Sequence, residues 1–393
     1  MSRAPYALTS LALTGAALAA CEPLADTLDF DQTAAPIFRD EAVSDPPDLA
    51  PGSLRVMAWN IKYGAGRIDF WFDFHGDRVQ MTLGEVRTNL DALCALIREV
   101  DPDILMTEEI EVNSRRSAYV DMVDHLLTCT NLSHAAYFQS WDARYIPNEG
   151  LGRMDLGNAI FSRYPIRKAT RFKQVERSDL DGLTRYFYIR RVLGRAVIDL
   201  GDREVAAWVA HVEAYDTDGT KQAQIRQLFD LLSAEPLPWV MGGDLNELPP
   251  VCDERIAGDC DATLQLSGFN DENAPEGDDF AQPPYTPSVL APWFDTFTPA
   301  IDLARYGTTP ASQRPFFTHT TLAPDALSPR DGQPGFWNRT LDYLFVRGSD
   351  QWEPGSTAVL QRPGDGPPPL AITADPMRLS DHAPILGTWR LTP

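Results

Sequence analysis

The first regular pattern along the chain is an apolar strand followed by an amphipathic helix. Residues 54–60 are mostly apolar and end on the polar Asn60, which predicts a strand. Thr82 and Glu85 have the spacing of a capping box. After them, apolar residues recur at steps of four, three, four and three: Val86, Leu90, Leu93, Ile97 and Val100. This period predicts a helix with one buried stripe.

The order of helix and strand returns further along the chain. Residues 103–107 predict a second strand, which delivers Glu108 and Glu109 at its end. A helix over 217–233 precedes a strand that reaches Gly243. Other runs predict a helix from Tyr119 to Leu127 and strands over 135–141, 157–162, 167–175, 186–199, 204–211, 341–346 and 384–391. Those between 167 and 211 alternate with period two, as antiparallel strands with one wet face do.

The stretch 238–249 carries the most suggestive local chemistry. Two glycines follow its apolar run and permit a tight turn. Asp244 and Asn246 are two residues apart, so both side chains leave one face if the strand geometry persists. That arrangement suits a water-activating acid beside an amide that faces a phosphate. The alternative is an Asx turn closed by the same two residues.

Composition narrows the class of protein. The 393 residues, 44% hydrophobic, predict one large core or two halves of similar build. The net charge of -22 would repel a polyanion, which disfavours a nonspecific nucleic-acid binder without excluding a small phosphate ester. Basic residues concentrate between Arg144 and Arg203. Solvated arginines explain most of them, and one or two near the sheet end could supply phosphate counter-charge.

The N-terminus predicts export. A short apolar stretch follows Arg3 and closes with Leu18-Ala19-Ala20-Cys21, which resembles a bacterial lipobox whose cysteine is lipidated. The alternative is an ordinary cleavage site with a chance cysteine. We therefore expect a signal peptide over 1–20, a lipidated N-terminus and flexible tether over 21–53, and one domain over 54–393. This places a lipoprotein on a membrane of the bacterial cell envelope, facing the periplasm or the exterior.

Four cysteines remain if Cys21 carries lipid. Cys252 and Cys260 flank a short acidic loop, so we expect them to pair with each other. Cys94 and Cys129 lie in helical patterns, where two buried thiols and a bridge are both compatible with the sequence. The aromatic segment 68–74 predicts a packing flap, with contact to a bilayer or an apolar substrate arm as the alternative.

Polar residues end the apolar strands repeatedly. Ligands collect at strand ends in sheets of this kind, so the coincidence predicts a site. The residues concerned are Asn60, Glu109, His211, Asp244 with Asn246, Asp342, and Asp381 with His382.

These residues lie in motifs that resemble those of the endonuclease/exonuclease/phosphatase superfamily, in the family's order over roughly 53–391. The motifs are Trp59-Asn60, the run 102–109, the run 157–166, His211, Gly243-Asp244-Leu245-Asn246, the run 341–346, and Ser380-Asp381-His382 with its neighbours to 385. The resemblance implies an α+β fold, a four-layer α/β/β/α sandwich of two packed mixed sheets with outer helices.

The resemblance also implies a divalent metal, Mg²⁺ or Mn²⁺, and hydrolysis of a phosphate ester by direct attack of water. Glu109 would be the metal ligand, with Asn60 and Asp381 contributing. Glu108 stands where the family commonly has glutamine, which leaves the choice between 108 and 109 open.

Five residues would then act on the substrate. Asp244 would orient or deprotonate the water, and Asn246 would hold a phosphate oxygen. His382 would stabilise the developing charge or share the proton transfer, with Asp342 fixing its tautomer. His211 would give a second contact to the phosphoryl oxygens.

The sequence thus predicts a monomeric, exported, metal-dependent phosphoesterase acting on a phosphate mono- or diester. Its substrate would be a phospholipid-type diester, an inositol or sugar phosphate, or a nucleotide. An extracellular nuclease is the alternative enzyme, although the net charge disfavours nucleic acid. A catalytically inactive binding lipoprotein of the same fold is the alternative outside enzymes.

Overall fold

The computed structural model describes residues 23–42, 51–70, 77–215, 217–252, 285–320, 324, 337 and 339–391. Two mixed sheets pack face to face in these ranges. In chain order their strands are β1 (Gln32–Ala34), β2 (Ile37–Arg39), β3 (Ser53–Asn60), β4 (Ile104–Glu111), β5 (His134–Ile146), β6 (Gly152–Ser162), β7 (Ile166–Lys173), β8 (Val192–Asp199), β9 (Glu204–His211), β10 (Trp239–Asp244), β11 (Thr298–Pro299), β12 (Asp342–Val346), β13 (Gln351–Trp352), β14 (Ala358–Val359) and β15 (Ile385–Arg390).

The eight-stranded sheet has the order β13-β15-β3-β4-β6-β5-β2, with β14 on β15, and the seven-stranded sheet the order β1-β7-β8-β9-β10-β12-β11. Each sheet contains one parallel pair, β3 with β4 and β9 with β10. We call the end at which these four strands finish the site end. The expected sandwich of two mixed sheets is confirmed.

Seven helices among the described residues connect these strands. They are α1 (Leu83–Val100), α2 (Met122–Cys129), α3 (Gly182–Phe187), α4 (Thr220–Ser233), α5 (Ala291–Thr296), α6 (Leu303–Tyr306) and α7 (Pro310–Gln313). Short 3-10 turns cover Lys62–Gly64, Asn148–Gly150, Pro250–Cys252, Pro287–Leu290, Arg314–Phe316 and Pro376–Arg378.

The predicted capping box forms at the start of α1. The hydroxyl of Thr82 accepts from the Glu85 N–H, and the Glu85 carboxylate accepts from the Thr82 N–H. The apolar stripe of α1 packs with Met57, Trp59 and Leu105 on the outer face of the eight-stranded sheet. Apolar residues of α4 pack in the same way on the seven-stranded sheet.

The inner faces form the central core, and alternation along each strand decides which residues enter it. Val56 and Ala58 of β3, and Val205, Ala207 and Val209 of β9, belong to this core. Each strand therefore brings its last inward position to the same edge as its neighbours. Asn60 of β3 and His211 of β9 occupy these last positions.

Two glycines in β10 allow the sheets and strands to approach closely. A Cβ on Gly242 would lie 2.7 Å from Met106 Cε and 2.8 Å from Ala58 Cβ across the core. A Cβ on Gly243 would lie 2.0 Å from the Ala210 carbonyl oxygen. Both glycines thus lie inside the strand instead of forming the predicted tight turn, because close packing requires them there.

The stretch expected to be a flexible tether contributes structure. β1 pairs with β7 at the edge of one sheet, and β2 pairs with β5 at the edge of the other. Residues 32–39 therefore bridge both sheets and cover one edge of each. This pairing is favourable because an open edge leaves backbone N–H and C=O groups unpaired. The start of the tether, Cys21 and the segment 43–50 lie outside the described residues.

One further expectation changes in the structure. The predicted strand over 186–199 begins only at Val192. Asp181 caps the short helix α3, which precedes this strand. Its carboxylate accepts from the N–H groups of Leu183 and Thr184, which is a common N-cap arrangement.

The structure decides between the alternatives for one cysteine pair. Cys94 of α1 and Cys129 of α2 form a disulfide with Cα atoms 6.0 Å apart. Cys260 lies outside the described residues, so the expected bridge to Cys252 stays a prediction.

Of the aromatic segment 68–74, residues 68–70 are described. Phe70 is buried and its ring lies 5.3 Å from that of Tyr63, as expected for packing. Across the described part of the chain, none of the helices combines the length and the apolar character that a membrane span needs.

Candidate active site

The site end brings six strand-end or loop residues from both sheets into one cluster. Asn60 ends β3, Glu109 lies near the end of β4, His211 and Asp244 end β9 and β10, Asp342 begins β12, and His382 precedes β15. The sheets contribute equally, and the parallel pairs place Asn60 beside Glu108 and His211 beside Asp244. The predicted convergence of distant motifs is thus present in the structure.

An irregularity in β4 separates the two adjacent glutamates. The pairing of β4 with β6 shifts between Thr107 and Ile110, and Glu109 adopts a φ of 56°. A positive φ is unusual for a residue with a side chain and occurs often at functional sites. The Glu109 side chain keeps 25% exposure. Glu108 is completely buried, and neither of its carboxyl oxygens has a hydrogen-bond partner.

Asp244 lies at the centre of the cluster. Its Oδ2 accepts from Asn60 Nδ2 at 3.3 Å and lies 3.5 Å from His211 Nε2 and 3.7 Å from His382 Nε2. Burial raises the pKa of Asp244, and the acids around it add to this effect against the opposing charge of His382. A carboxylate with a raised pKa can accept a proton near neutral pH, which suits a general base.

His382 and Asp342 form the predicted histidine–carboxylate pair. Nδ1 of His382 donates to Oδ2 of Asp342 at 2.8 Å, which leaves Nε2 facing Asp244. Burial opposes protonation of His382, but Asp342 and Asp244 outweigh it and raise the pKa of the imidazole. Trp59 Nε1 donates to the His382 carbonyl at 2.8 Å and holds this loop against β3.

His211 has the opposite electrostatic character. Burial lowers its pKa well below the usual value, and the charge of Arg191 adds to this. Its Nε2 lies 4.0 Å from Glu109 Oε1. The site therefore presents one protonated and one neutral imidazole, so the two histidines can take different parts in one reaction.

Asp381 faces a cation that the sequence did not single out. Its Oδ2 lies 3.4 Å from Nζ of the buried Lys62. Burial opposes ionisation, but Lys62 and His382 keep the pKa of Asp381 well below its usual range. Lys62 follows Asn60 by two residues, and this proximity to a motif was the available signal.

His319 is the second residue that sequence reasoning missed. It forms isolated bridges with Arg339 and His382, and its ring centroid lies 4.5 Å from that of His382. Burial lowers its pKa well below the usual value, and its buried Nδ1 has no hydrogen-bond partner. His319 lies in none of the family motifs, so no sequence pattern indicated it.

Asn246 departs from the predicted geometry. β10 ends at Asp244, and Asn246 has a φ of 45°, so the strand does not continue through it. The Asn246 N–H donates to Asp244 Oδ1 at 2.8 Å, which is the Asx turn considered as the alternative. Its Nδ2 donates to the Val212 carbonyl at 3.1 Å. A phosphate contact from Asn246 therefore stays a prediction.

The negative charge in the cluster exceeds the positive charge. Burial, followed by neighbouring carboxylates, raises the pKa of Glu108 and of Glu109. Oδ1 of Asp342 is buried without a hydrogen-bond partner. Unpaired buried acids are costly, and a hard divalent cation with oxygen ligands would offset them. The residues present therefore fit a metal ion.

The choice of ligands follows from which acids are already engaged. Asp244, Asp342 and His382 bring one ligand atom each within 4.8 Å of one another. However, a protonated imidazole cannot ligate a metal, and Asp342 already accepts from His382. Glu109 is more accessible, and its Oε1 lies 3.2 Å from Asn60 Nδ2, so Glu109 is the better candidate for a metal ligand. Cys94, His125 and Cys129 form a second group of possible ligands, but the disulfide between the two cysteines leaves no thiolate to bind a metal.

Most arginines of the basic region have acidic partners. Arg191 lies 3.8 Å from Glu213 and Arg177 contacts Asp179, both at the site end. Arg191 also acts electrostatically on His211, so it is the arginine best placed to provide counter-charge.

The comparisons with known proteins agree with this geometry. The profile described as the Endonuclease/Exonuclease/phosphatase family matches residues 57–382. The chain belongs to the endonuclease/exonuclease/phosphatase family. This span begins within β3 and ends at His382, so it contains every residue of the cluster.

A solved structure of this family shares the fold. An endonuclease/exonuclease/phosphatase from Beutenbergia cavernae is 18% identical over 87% of this chain and 72% of its own, with a TM-score of 0.54. One from Bacteroides vulgatus is 14% identical over 86% of this chain and 99% of its own, with a TM-score of 0.48. A search of curated proteins gives no match.

Endonuclease/exonuclease/phosphatase proteins are generally hydrolases of phosphoester bonds that use a divalent metal. The acid-rich cluster at the site end is compatible with that chemistry.

Proposed function

We propose that this protein is an exported, magnesium- or manganese-dependent phosphoesterase that hydrolyses a phosphate ester by direct attack of water. The observation that carries the proposal is that Asp244 lies close to two histidines, one protonated and one neutral. A carboxylate of raised pKa, a protonated His382 and a neutral His211 within 4 Å of it form an acid–base set.

The residues divide the reaction between them. Asp244 takes a proton from the attacking water, and its raised pKa matches this task. His382, protonated and oriented by Asp342, stabilises the charge that develops on the phosphoryl oxygens. His211 donates a hydrogen bond to the same group.

A bound divalent cation would neutralise charge on the phosphate. Glu109 would hold it, with Asn60 and Asp381. Lys62 beside Asp381 adds a fixed positive charge to this side of the cluster.

Hydrolysis of bis-p-nitrophenyl phosphate with and without Mg²⁺ or Mn²⁺ tests the proposal. Residues 22–393 supply the protein, since the described residues within them form both sheets and their cores. We expect metal-dependent release of nitrophenol, and Asp244→Ala or His382→Ala should lower turnover at least ~100-fold without unfolding. Asp199→Asn is the matched control, because Asp199 also ends a strand but at the opposite end of the sheet.

Other outcomes select the alternatives. Cleavage of DNA alone would indicate the extracellular nuclease, and inactivity on every phosphate ester with every divalent cation would indicate the binding lipoprotein. Lipid attachment is part of the proposal. Mass spectrometry of the mature N-terminus from cells should show acylation of Cys21, which Cys21→Ala abolishes.

A further inference from the structure

The exposed apolar side chains of this protein are concentrated at one end of the sandwich. Among the described residues, nine large hydrophobic side chains are exposed. Two of the nine, Ile37 and Phe38, lie away from the site end, on β2, which pairs with the start of β5. The other seven lie at the site end or in its connections: Leu24, Leu83, Tyr119, Tyr145, Val175, Leu183 and Tyr215.

Strand directions establish this placement. β5 runs antiparallel to β6, and β6 antiparallel to β4, so β5 finishes at the same end as β4. Tyr145 is the second-last residue of β5. β7 finishes beside the start of β8 at the same end as β9, so the connection with α3 and Leu183 lies there too.

The described chain begins at this end, between two of these elements. The N–H of Leu24 donates to Tyr186 Oη of α3 at 2.9 Å, and the Leu24 carbonyl accepts from the Arg144 N–H of β5 at 2.7 Å. Leu183 precedes Tyr186 by three residues and shares its helix face. We call Leu24, Tyr145 and Leu183 the N-terminal patch; their exposed fractions are 46%, 49% and 71%.

The position of Cys21 decides what covers this patch. Three peptide units join Cys21 to Leu24, and they span at most about 11 Å. A lipid on Cys21 would therefore hold the N-terminal patch against the bilayer surface. Exposed Arg144 and Arg185 neighbour the patch, and apolar, tyrosine and arginine side chains together are typical of membrane-interface surfaces.

We propose that the site end is a membrane-docking surface, with the N-terminal patch resting on the bilayer and the active-site cleft facing it. The substrate is then a phosphate ester in a lipid headgroup at that surface. The choice of substrate and the lipid on Cys21 rest on the proposed function, whereas the exposure of the N-terminal patch does not. The net charge of -22 opposes binding to anionic membranes, so the surface we name is zwitterionic.

Flotation with phosphatidylcholine vesicles tests the docking surface, using residues 22–393 without lipid. We expect the wild type to float with the vesicles, and Leu24→Asp/Tyr145→Asp/Leu183→Asp to lower the partition coefficient at least ~10-fold. Ile37→Asp/Phe38→Asp is the matched control, since it removes similarly exposed apolar groups from the other end. Leu183→Asp alone gives the same direction should the triple variant not fold.

Two readouts separate this proposal from the proposed function. Wild-type protein that stays unbound, or a control that loses binding as far as the triple variant, overturns the docking surface. The activity of the triple variant should depend on the substrate. We expect it to hydrolyse soluble bis-p-nitrophenyl phosphate at the wild-type rate and to lose hydrolysis of phosphatidylcholine in vesicles. Vesicle binding without any phosphoesterase activity would leave the docking surface in place and overturn the proposed function.

Discussion

Two buried carboxylates of this molecule differ in how well their surroundings match their charge. Glu235 lies beside β9, away from the active site. Both of its oxygens accept from Arg195, at 2.6 and 2.9 Å, and Trp208 Nε1 donates at 3.1 Å. Burial opposes its ionisation, but Arg195 outweighs burial and lowers the pKa of Glu235.

Asp244 is also buried, but no arginine or lysine contact comparable to that of Glu235 accompanies it among the described residues. Its Oδ2 meets an amide at 3.3 Å and two imidazoles at 3.5 and 3.7 Å, and its pKa is raised. The surroundings of Glu235 thus stabilise its charge, whereas those of Asp244, Glu108 and Glu109 oppose ionisation and raise the pKa of each. This environment makes these groups available for proton transfer and for a cation.

Removing the carboxylate of Glu235, and with it the ion pair to Arg195, should produce the largest change in stability. Glu235→Ala leaves Arg195 without its partner in a largely buried place, and we expect a loss of about 3–5 kcal/mol in the free energy of unfolding. Urea denaturation measures it. Turnover per folded molecule should stay at the wild-type level, and a selective loss of turnover would contradict the separation of scaffold and site.

Removing the partner of His382 should change the pH dependence of hydrolysis. Asp342 raises the pKa of His382, so Asp342→Asn should lower it and deprotonate the imidazole at lower pH. If protonated His382 is required, the alkaline limb of kcat/KM moves down by about one pH unit or more. The pH–rate profile measures this shift, with Asp199→Asn as the control. An unchanged limb would exclude His382 as the titrating acid.

The smallest effect is expected at Glu108. Burial and the neighbouring acids raise its pKa well above the usual value, which favours the neutral form of the group. Glu108→Gln conserves shape and neutrality, and we expect kcat/KM to stay within about threefold of wild type. Glu109→Gln should be far more damaging. Equal losses in both variants would move the charged role to Glu108 and resolve the choice between the two glutamates.

Sequence patterns predicted the elements that local rules control. The capping box of Thr82 and Glu85 and the stripe of α1 appear as expected, because both depend on residues close in the chain. The inward positions of Asn60, His211 and Asp244 follow from strand alternation. Their order in the chain matches the family motifs, so the sequence predicts that they form one cluster.

Features that depend on distant pairing could not be read from the sequence. The irregularity of β4 at Glu109 depends on its register with β6. β1 and β2 are three residues each and exist because two sheet edges lie beside them. His319 reaches the site through bridges to Arg339 and His382, which no local pattern near it indicates.

We infer that the buried acids at the site end form a divalent cation site centred on Glu109. Thermal unfolding with and without Mg²⁺ or Mn²⁺ tests it most directly, because it requires no substrate. At a concentration of 100 times Kd, a cation that binds the folded protein should add about 2.7 kcal/mol of stability. We predict that this stabilisation appears in the wild type and in Asp199→Asn and disappears in Glu109→Gln. No stabilisation of the wild type by either cation, or equal stabilisation of Glu109→Gln, would rule out a cation site centred on Glu109.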